Sequence, residues 1–346
     1  MKKIVLLVVV LLLLSCTKKQ EEGQVFEETM MVMGTIVTVS LYGEDEKRAQ
    51  KLFHDLLKDF KYMQAAWNPW KKGSLARINQ MIPYQEAFSI GPVVKDMVLQ
   101  ATELSKQSEG YFNPAIGQLI KLWGFNKEKL PTGPPPTADQ IKAILDKNAQ
   151  MEDLSFSVLN LKSSNPDVLL DFGAFAKGFG VDRAIEYLKS MEVKNAIINA
   201  GGDLRAIGKK GDKPWMIGIR DPRAQAVIAG VSIQGDESVF TSGDYERFYE
   251  YEGKRYHHIL NPKTGKPADT VRSVTIIHSS AAIADAAATA LFVAGPDNWQ
   301  RIAKKMGIDK VMLIDQQGVI HLTPAIKPRL EFEREGLDIR VAKTFQ

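Results

Sequence analysis

Residues 168–203 read VLLDFGAFAKGFGVDRAIEYLKSMEVKNAIINAGGD. A short apolar run ends at the acid Asp171, and small residues then open a helical pattern over Lys177–Ser190. A second apolar run, Asn195–Asn199, closes on a glycine pair and Asp203. Strand, tight turn, helix and strand within about 35 residues place the chain among mixed α and β folds. Beyond this stretch the same alternation continues. Strands are expected at Trp215–Arg220, Val227–Ile233, Val274–His278 and Lys310–Ile314, the last returning through Asp315-Gln316-Gln317-Gly318 as a hairpin to Val319–Leu322. Helices are expected at Ala282–Val293 and Pro296–Met306.

Upstream, Thr35–Leu41 (TIVTVSL) reads as a strand. Asp45–Met63 carries Leu52, Phe53, Leu56, Leu57 and Phe60 at helical spacing, and Val93–Ser105 reads as a second helix. The strongest breaker is KEKLPTGPPPT, Lys127–Thr137, because proline continues neither regular structure. Thr137 and Gln140 then have the spacing of a capping box, opening a helix through Leu145. Strands fall on both sides of the proline-rich stretch, so the expectation is one α+β unit, with mixed sheets flanked by helices in two intimately packed halves.

Composition bounds the function. The 346 residues include 45 Lys+Arg against 41 Asp+Glu, five histidines and one cysteine, with 25% charged and 45% apolar residues. These are ordinary globular values that exclude collagen-like, coiled-coil and wholly disordered chains. A net charge of +4 with no basic run interleaved with aromatics gives no nucleic-acid footprint. One cysteine excludes an internal disulfide framework and CxxC zinc sites.

That cysteine has an address. Lys2 and Lys3 precede an unbroken apolar run, Ile4–Leu14, too short to span a bilayer but of signal-peptide dimensions. Leu13-Leu14-Ser15-Cys16 follows, which resembles a bacterial lipobox with Cys16 as the acylated first mature residue. The expected organisation is a lipoprotein signal peptide over 1–15, a polar tether over 16–27 and one domain over 28–346. Without the leader the net charge is +2. The working compartment is then the bacterial cell envelope, lipid-anchored and facing the periplasm.

Common catalytic signatures are missing: no HExxH, no GxSxG, and GAFAKGFG (Gly173–Gly180) lacks both the GK[ST] ending of a P-loop and the third glycine of the dinucleotide fingerprint. Four clusters stand out instead. Asp171–Gly180 places an acid, small residues and Lys177 at a helix start, where backbone N–H groups favour an anion; it also reads as a tight strand-to-helix turn. Asn199-Ala-Gly-Gly-Asp203 closes a strand. Tyr256-His257-His258-Ile-Leu-Asn261-Pro-Lys-Thr264-Gly265 runs extended into a turn, with its two histidines on opposite faces. Asp285 and Thr289, four apart among alanines, share one helix face. They are hard oxygen donors suited to Mg²⁺, although on spacing alone an acid complementing the helix dipole is the simpler reading.

Taken in order, these clusters resemble the ApbE family, the FAD:protein FMN transferases. Met33-Gly34-Thr35, SLARIN (Ser74–Asn79), Gly110-Tyr-Phe-Asn-Pro114, Leu122-Trp-Gly-Phe125, Asp171–Asp182, Asn199–Asp203, TSGDYER (Thr241–Arg247), the His258 segment and Asp285–Thr289 all match it. The resemblance implies an ApbE-like α+β fold and an Mg²⁺-dependent envelope enzyme. Such an enzyme takes FAD as substrate, esterifies its FMN phosphate to a Thr or Ser hydroxyl of an acceptor protein, and releases AMP. By position in the motifs, Met33, Trp67, Tyr111, Phe112, Asn113, Asp171, Lys177 and Ile259 would contact FAD. The Mg²⁺ ligands would be Asp285 and Thr289, with main-chain oxygens of Ala174 and Ala288; His258 would be the base and Asp285 would position the metal. Acceptors implied are extracytoplasmic subunits of ion-linked redox complexes.

Three positions depart from the family pattern: Asn261 stands where an acid is usual, Phe175 where a β-branched residue is usual, and Trp67 where Tyr is common. Two alternatives use the same residues, an Mg²⁺-dependent FAD pyrophosphatase giving FMN and AMP, and a non-catalytic FAD-binding lipoprotein.

Overall fold

The computed structural model describes residues 23–343, so the leader, Cys16 and most of the tether lie outside the described residues. Nine strands form one sheet. In spatial order they are Val25–Val32, Thr35–Tyr42, Ala196–Ala200, Asp203–Ile207, Glu237–Gly243, Val271–His278, Val311–Asp315, Ile320–Leu322 and Ile339–Val341. Neighbours are antiparallel except the last pair, which is parallel. Among the described residues seven α-helices accompany them: α1 (Glu46–Trp67), α2 (Ser74–Met81), α3 (Pro92–Gln107), α4 (Gly117–Leu122), α5 (Ala138–Leu145), α6 (Ala176–Ser190) and α7 (Ala281–Lys305). Among the described residues no helix is long and apolar enough to cross a membrane.

Val274–Ile277 and Val311–Ile314 are buried on both faces, which is why they read as apolar runs. Along Val311–Asp315 the two-residue period splits the side chains. Val311 and Leu313 join the large core under the helices, while Met312 and Ile314 join a second core. That second core lies against a three-stranded sheet, Met216–Arg220, Val227–Ser232 and Leu330–Phe332. Leu56 and Val98, before the proline-rich stretch, share the large core with Ile276 and Leu291, after it. A satellite core of Leu119, Trp123, Phe125, Ile141, Tyr249 and Leu260 seats α4 and α5 beside the hairpin Phe248–Tyr251/Lys254–His257.

Two tight hairpins organise the sheet end that matters below. Met33-Gly34 joins the first two strands with Val32 opposite Thr35, and Gly201-Gly202 joins the next pair with Ala200 opposite Asp203. All four turn residues have positive φ (53°, 73°, 70° and 103°), as a two-residue turn matched to strand twist requires. The helix expected over Asp45–Met63 is α1, capped by the Asp45 carboxylate, which accepts from Arg48 N at 2.9 Å. The Thr137/Gln140 capping box forms, at 3.3 and 2.9 Å. The two helices expected at Ala282–Val293 and Pro296–Met306 appear as halves of α7, broken at Gly295 (φ 72°, ψ 178°), with Pro296 opening the second half.

Four strands of this sheet go beyond the sequence reading: Val25–Val32, Asp203–Ile207, Ile339–Val341 and Glu237–Gly243. The last carries Ser238, Thr241 and Ser242 at or near buried positions, where neighbours satisfy their hydroxyls. Its polarity therefore hides a strand that is central in the sheet.

Candidate active site

The Asp171–Gly180 segment is the hub. Asp171 ends an extended run. Its Oδ1 accepts from Gly173 N at 2.7 Å, closing the turn, and its Oδ2 accepts from Trp70 Nε1 at 2.9 Å. Burial raises the carboxyl above its usual range. Phe175 is fully buried between Phe172, Phe179 and Phe112, so the aromatic at this position is a core anchor for the turn. Lys177, in the first turn of α6, pairs with Asp203 at the start of its strand. Asp203 in turn accepts from Thr241 N at 2.7 Å. Although burial opposes it, Asp203, Asp285 and Glu246 hold the Lys177 ammonium above its ordinary range, so it stays charged.

Helices α6 and α7 cross at the next residue. Gly178 N donates to Asp285 Oδ2 at 2.8 Å. A Cβ on Gly178 would stand 2.7 Å from the Ala281 carbonyl carbon and 2.8 Å from Asp285 Cβ, so only glycine allows this approach. The alanines of α7 bring it equally close from the other side; Ala281, Ala282, Ala284 and Ala286 to Ala288 are all buried. Asp285 is 7% exposed, with that single N–H as its hydrogen-bond donor. Burial pushes its carboxyl up to about 7. A buried carboxylate so thinly satisfied is chemically suited to a cation. Thr289, one turn on, shares a hydrogen bond with Ser242 at 3.1 Å. Among the described residues no three His, Cys, Asp or Glu side chains stand together as a metal cage. A cation at Asp285 would therefore complete its shell with hydroxyl, main-chain or phosphate oxygens, and that donor set suits Mg²⁺.

The other expected contacts arrange themselves around this hub. Met33 occupies its hairpin turn with its N–H donating to Gln64 Oε1 at 2.5 Å, and its side chain packs on Gly180, where a Cβ would lie 3.0 Å from Met33 Cε. Trp67, the last residue of α1, meets Phe179 edge-on at 5.5 Å, and among the described residues its buried indole N–H has no hydrogen-bond partner. Tyr111 carries the Lys263 ammonium 3.8 Å from its ring centroid. Phe112 is 2% exposed and packs on Phe175. Asn113 spends its side chain on Ala115 N (3.0 Å), Ala149 O (3.1 Å) and Gln150 Oε1 (3.1 Å). The side chains of Phe112 and Asn113 thus shape the loop. Ile259 is buried, with its N–H donating to His257 Nδ1 at 3.3 Å.

The two histidines face opposite ways. His257 is buried and its Nε2 lies 2.6 Å from Ala268 O; a carbonyl only accepts, so Nε2 carries the hydrogen. His258 is half-buried, with Nδ1 3.2 Å from Arg247 O, so here Nδ1 carries the hydrogen and Nε2 presents a free lone pair. Burial, then the neighbouring His257, lowers the His258 ring to about 3, keeping it neutral. Asn261 makes an Asx turn: its Oδ1 accepts from Lys263 N at 2.9 Å, and its main-chain oxygen accepts from Gly265 N at 2.8 Å. An amide performs this role as well as the usual acid.

With this geometry in view, the comparisons are decisive. The model of the ApbE family matches residues 33–312. The chain belongs to the ApbE family. It is 37% identical over 313 residues to the FAD:protein FMN transferase of Rhodobacter capsulatus, covering 89% of this chain and 59% of that protein. It thus spans less than two thirds of that relative. The FAD:protein FMN transferase of Haemophilus influenzae is 31% identical, covering 85% of this chain and 88% of its own length. The crystal structure of the ApbE protein from Thermotoga maritima superposes with a TM-score of 0.80 at 32% identity, covering 90% of this chain and all of that one. The flavinyl transferase ApbE of Pseudomonas stutzeri, in its apo form, gives 0.78 at 28% identity, covering 89% and 97%. The nine-stranded sheet with its helical layer is therefore an ApbE fold.

Trp70, Lys263, Asp182 and Arg205 were not singled out by sequence. Trp70 lies in a polar turn, and its link to Asp171 spans 101 residues. No local pattern signals such a contact.

Proposed function

We propose that this protein is an FAD:protein FMN transferase. It moves the FMN phosphoryl group from FAD to a Thr or Ser hydroxyl of an acceptor protein, with Mg²⁺, and releases AMP. The observation that carries the reading is the meeting of Lys177, Asp203, Asp285 and Thr289 at the α6–α7 crossing, beneath Met33, Trp67 and Asp171. A permanently charged lysine suits a phosphate, a thinly satisfied buried carboxylate suits a hard cation, and apolar and aromatic side chains suit flavin and adenine rings.

Phosphoryl transfer needs alignment and charge neutralisation more than covalent help. Mg²⁺ held by Asp285 and Thr289, with main-chain oxygens of Ala174 and Ala288, would neutralise the pyrophosphate. Lys177 holds a phosphate oxygen beside it. The acceptor hydroxyl oxygen bonds to the FMN phosphorus as the phosphorus–oxygen bond to AMP breaks. The hydroxyl proton passes to His258 Nε2, whose lone pair the Arg247 carbonyl keeps free. The lowered basicity of His258 means that the proton is held briefly and passes on to solvent or product.

We further propose that residues 1–15 are removed, that Cys16 carries the lipid anchor, and that residues 28–346 act at the periplasmic face of the envelope on extracytoplasmic acceptor proteins. The test is mass spectrometry on purified protein mixed with FAD, Mg²⁺ and a protein bearing a Thr acceptor motif. The expected product is an acceptor one FMN heavier, absent after chelation. Free FMN and AMP without an adduct would instead assign a pyrophosphatase, and intact FAD would reduce the site to binding.

A further inference from the structure

The first turn of α7 is capped from another helix. Asp182, one turn beyond Gly178 on α6, accepts from Ala281 N at 2.7 Å through Oδ1, and from Ala282 N at 3.0 Å and Ser280 Oγ at 2.6 Å through Oδ2. Ser280 caps only the remaining amide, Ile283 N, at 3.3 Å. Asp182 is itself held. Arg205, whose side chain is 7% exposed, donates to it from Nη1 at 2.7 Å. The rest of the same guanidinium engages Asp236 (Nε 2.8 Å, Nη2 2.9 Å) and Glu186 (3.3 Å). Lys189 completes the cluster on Asp236 and Glu186.

Helices α6 and α7 therefore touch through two polar contacts, each one turn from the other along both helices. One is Gly178 N to Asp285 Oδ2, a single bond at the candidate site; the other is the multidentate Asp182 clamp. A carboxylate at a helix N-terminus stabilises the helix, but a local residue suffices for that, and Ser280 is present. A partly buried carboxylate reaching across from α6, its side chain 18% exposed and locked by an arginine rooted in the central sheet, does more. It fixes the position of α7 relative to Lys177.

We propose that Asp182, held by Arg205, is the positioning residue of the α7 cation face, setting where Asp285 and Thr289 stand relative to Lys177. The inference rests on the assignment of Asp285 and Thr289 as cation ligands. Asp182 touches neither ligand nor substrate and acts through the helix it clamps. In Asp182→Asn the new amide faces the Arg205 and main-chain donors with only one oxygen to accept from them, while Ser280 still caps the helix. The helix persists and its position loosens.

The test is Mn²⁺ binding to the purified full-length protein in detergent, followed by electron paramagnetic resonance without FAD, beside Mg²⁺-dependent flavin transfer and urea unfolding. Asp182→Asn is expected to weaken Mn²⁺ binding at least tenfold and to raise the half-saturating Mg²⁺ equally, with kcat at saturating Mg²⁺ within threefold of wild type. Arg205→Lys, which cannot bridge Asp182 and Asp236 at once, should shift both in the same direction by a smaller factor. Glu109→Gln, which removes the Arg301 and Lys305 ion pairs on the far half of α7, should leave Mn²⁺ binding unchanged. Wild-type Mn²⁺ affinity in the folded fraction of both Asp182→Asn and Arg205→Lys, with only the urea midpoint lowered, overturns the proposal and leaves a stability cap. Absence of Mn²⁺ binding in the wild type overturns the cation assignment itself, and the positioning role with it.

Discussion

His258 and His257 are adjacent but turn opposite ring nitrogens to the main chain. One ring is buried with its Nε2 hydrogen on a carbonyl; the other stands half-buried with its Nδ1 hydrogen on a carbonyl. The His258 ring is lowered to about 3 in the fold, against an ordinary value near 6.5. Between those values the unfolded chain binds a proton at this position and the folded chain does not. Stability linked to His258 is therefore complete above about pH 6.5 and is lost as the pH falls toward 3. Urea unfolding of the wild type and His258→Gln between pH 4.5 and 7 should show a shallower rise with pH in the variant. Parallel curves would exclude the burial-driven shift. A ring this weakly basic also contributes no ascending limb to the pH–rate profile above pH 5. Lys177, Asp203 and Asp285 were legible at this scale because each sits in a short stretch of small residues or glycines. Arg205 was not, because its partners lie 19 to 31 residues away.

At the scale of elements, the α6–α7 crossing is governed by distance. Helix propensity alone says that Gly178→Ala should stabilise α6 by about 0.5–1 kcal/mol. Packing says the reverse, since the added methyl would enter the Ala281 main chain and the Asp285 side chain. Overpacking costs about 1–3 kcal/mol, so packing outweighs propensity. Urea unfolding should therefore show Gly178→Ala to be less stable, with weakened flavin transfer from a displaced Asp285; a gain in stability would refute the close crossing. The periodic helices and the Val311–Leu322 hairpin were readable because apolar spacing and turn residues agree there. Glu237–Gly243 was unreadable because a central strand whose hydroxyls are satisfied by the neighbouring strand and by α7 loses the apolar signature by which strands are found.

The whole molecule is interleaved. Thr35–Tyr42 pairs with Ala196–Ala200, so the sheet cannot close until about 200 residues are available, and its other half is contributed by residues after 236. The proline-rich Lys127–Thr137 looks like a boundary in sequence, but the large core draws on both sides of it. A fragment of residues 138–343 should accordingly lack a cooperative unfolding transition by circular dichroism, because Ala196–Ala200 would expose an unpaired edge and the α1 face of the core would be missing. A sharp transition in that fragment would show two separable domains. With so many pairings of high sequence separation, folding is expected to be slow relative to a helical protein of equal length.

The break at Gly295 divides α7 into stretches under different packing constraints. Before it, residues from Ala281 to Ala290 face neighbours on nearly every side and are mostly alanine. After it, Trp299, Ile302 and Ala303 face the core while Asp297, Gln300, Arg301, Lys304 and Lys305 face water. Substitution at the buried alanines between Ala281 and Ala290 is limited by volume, so that glycine and serine nearly exhaust what else fits there. In the second half an ordinary amphipathic code applies. Under random mutagenesis a single helix would thus show near-complete intolerance up to the glycine and a three-to-four-residue rhythm of tolerance beyond it, and the position where the one gives way to the other would mark the edge of the catalytic neighbourhood.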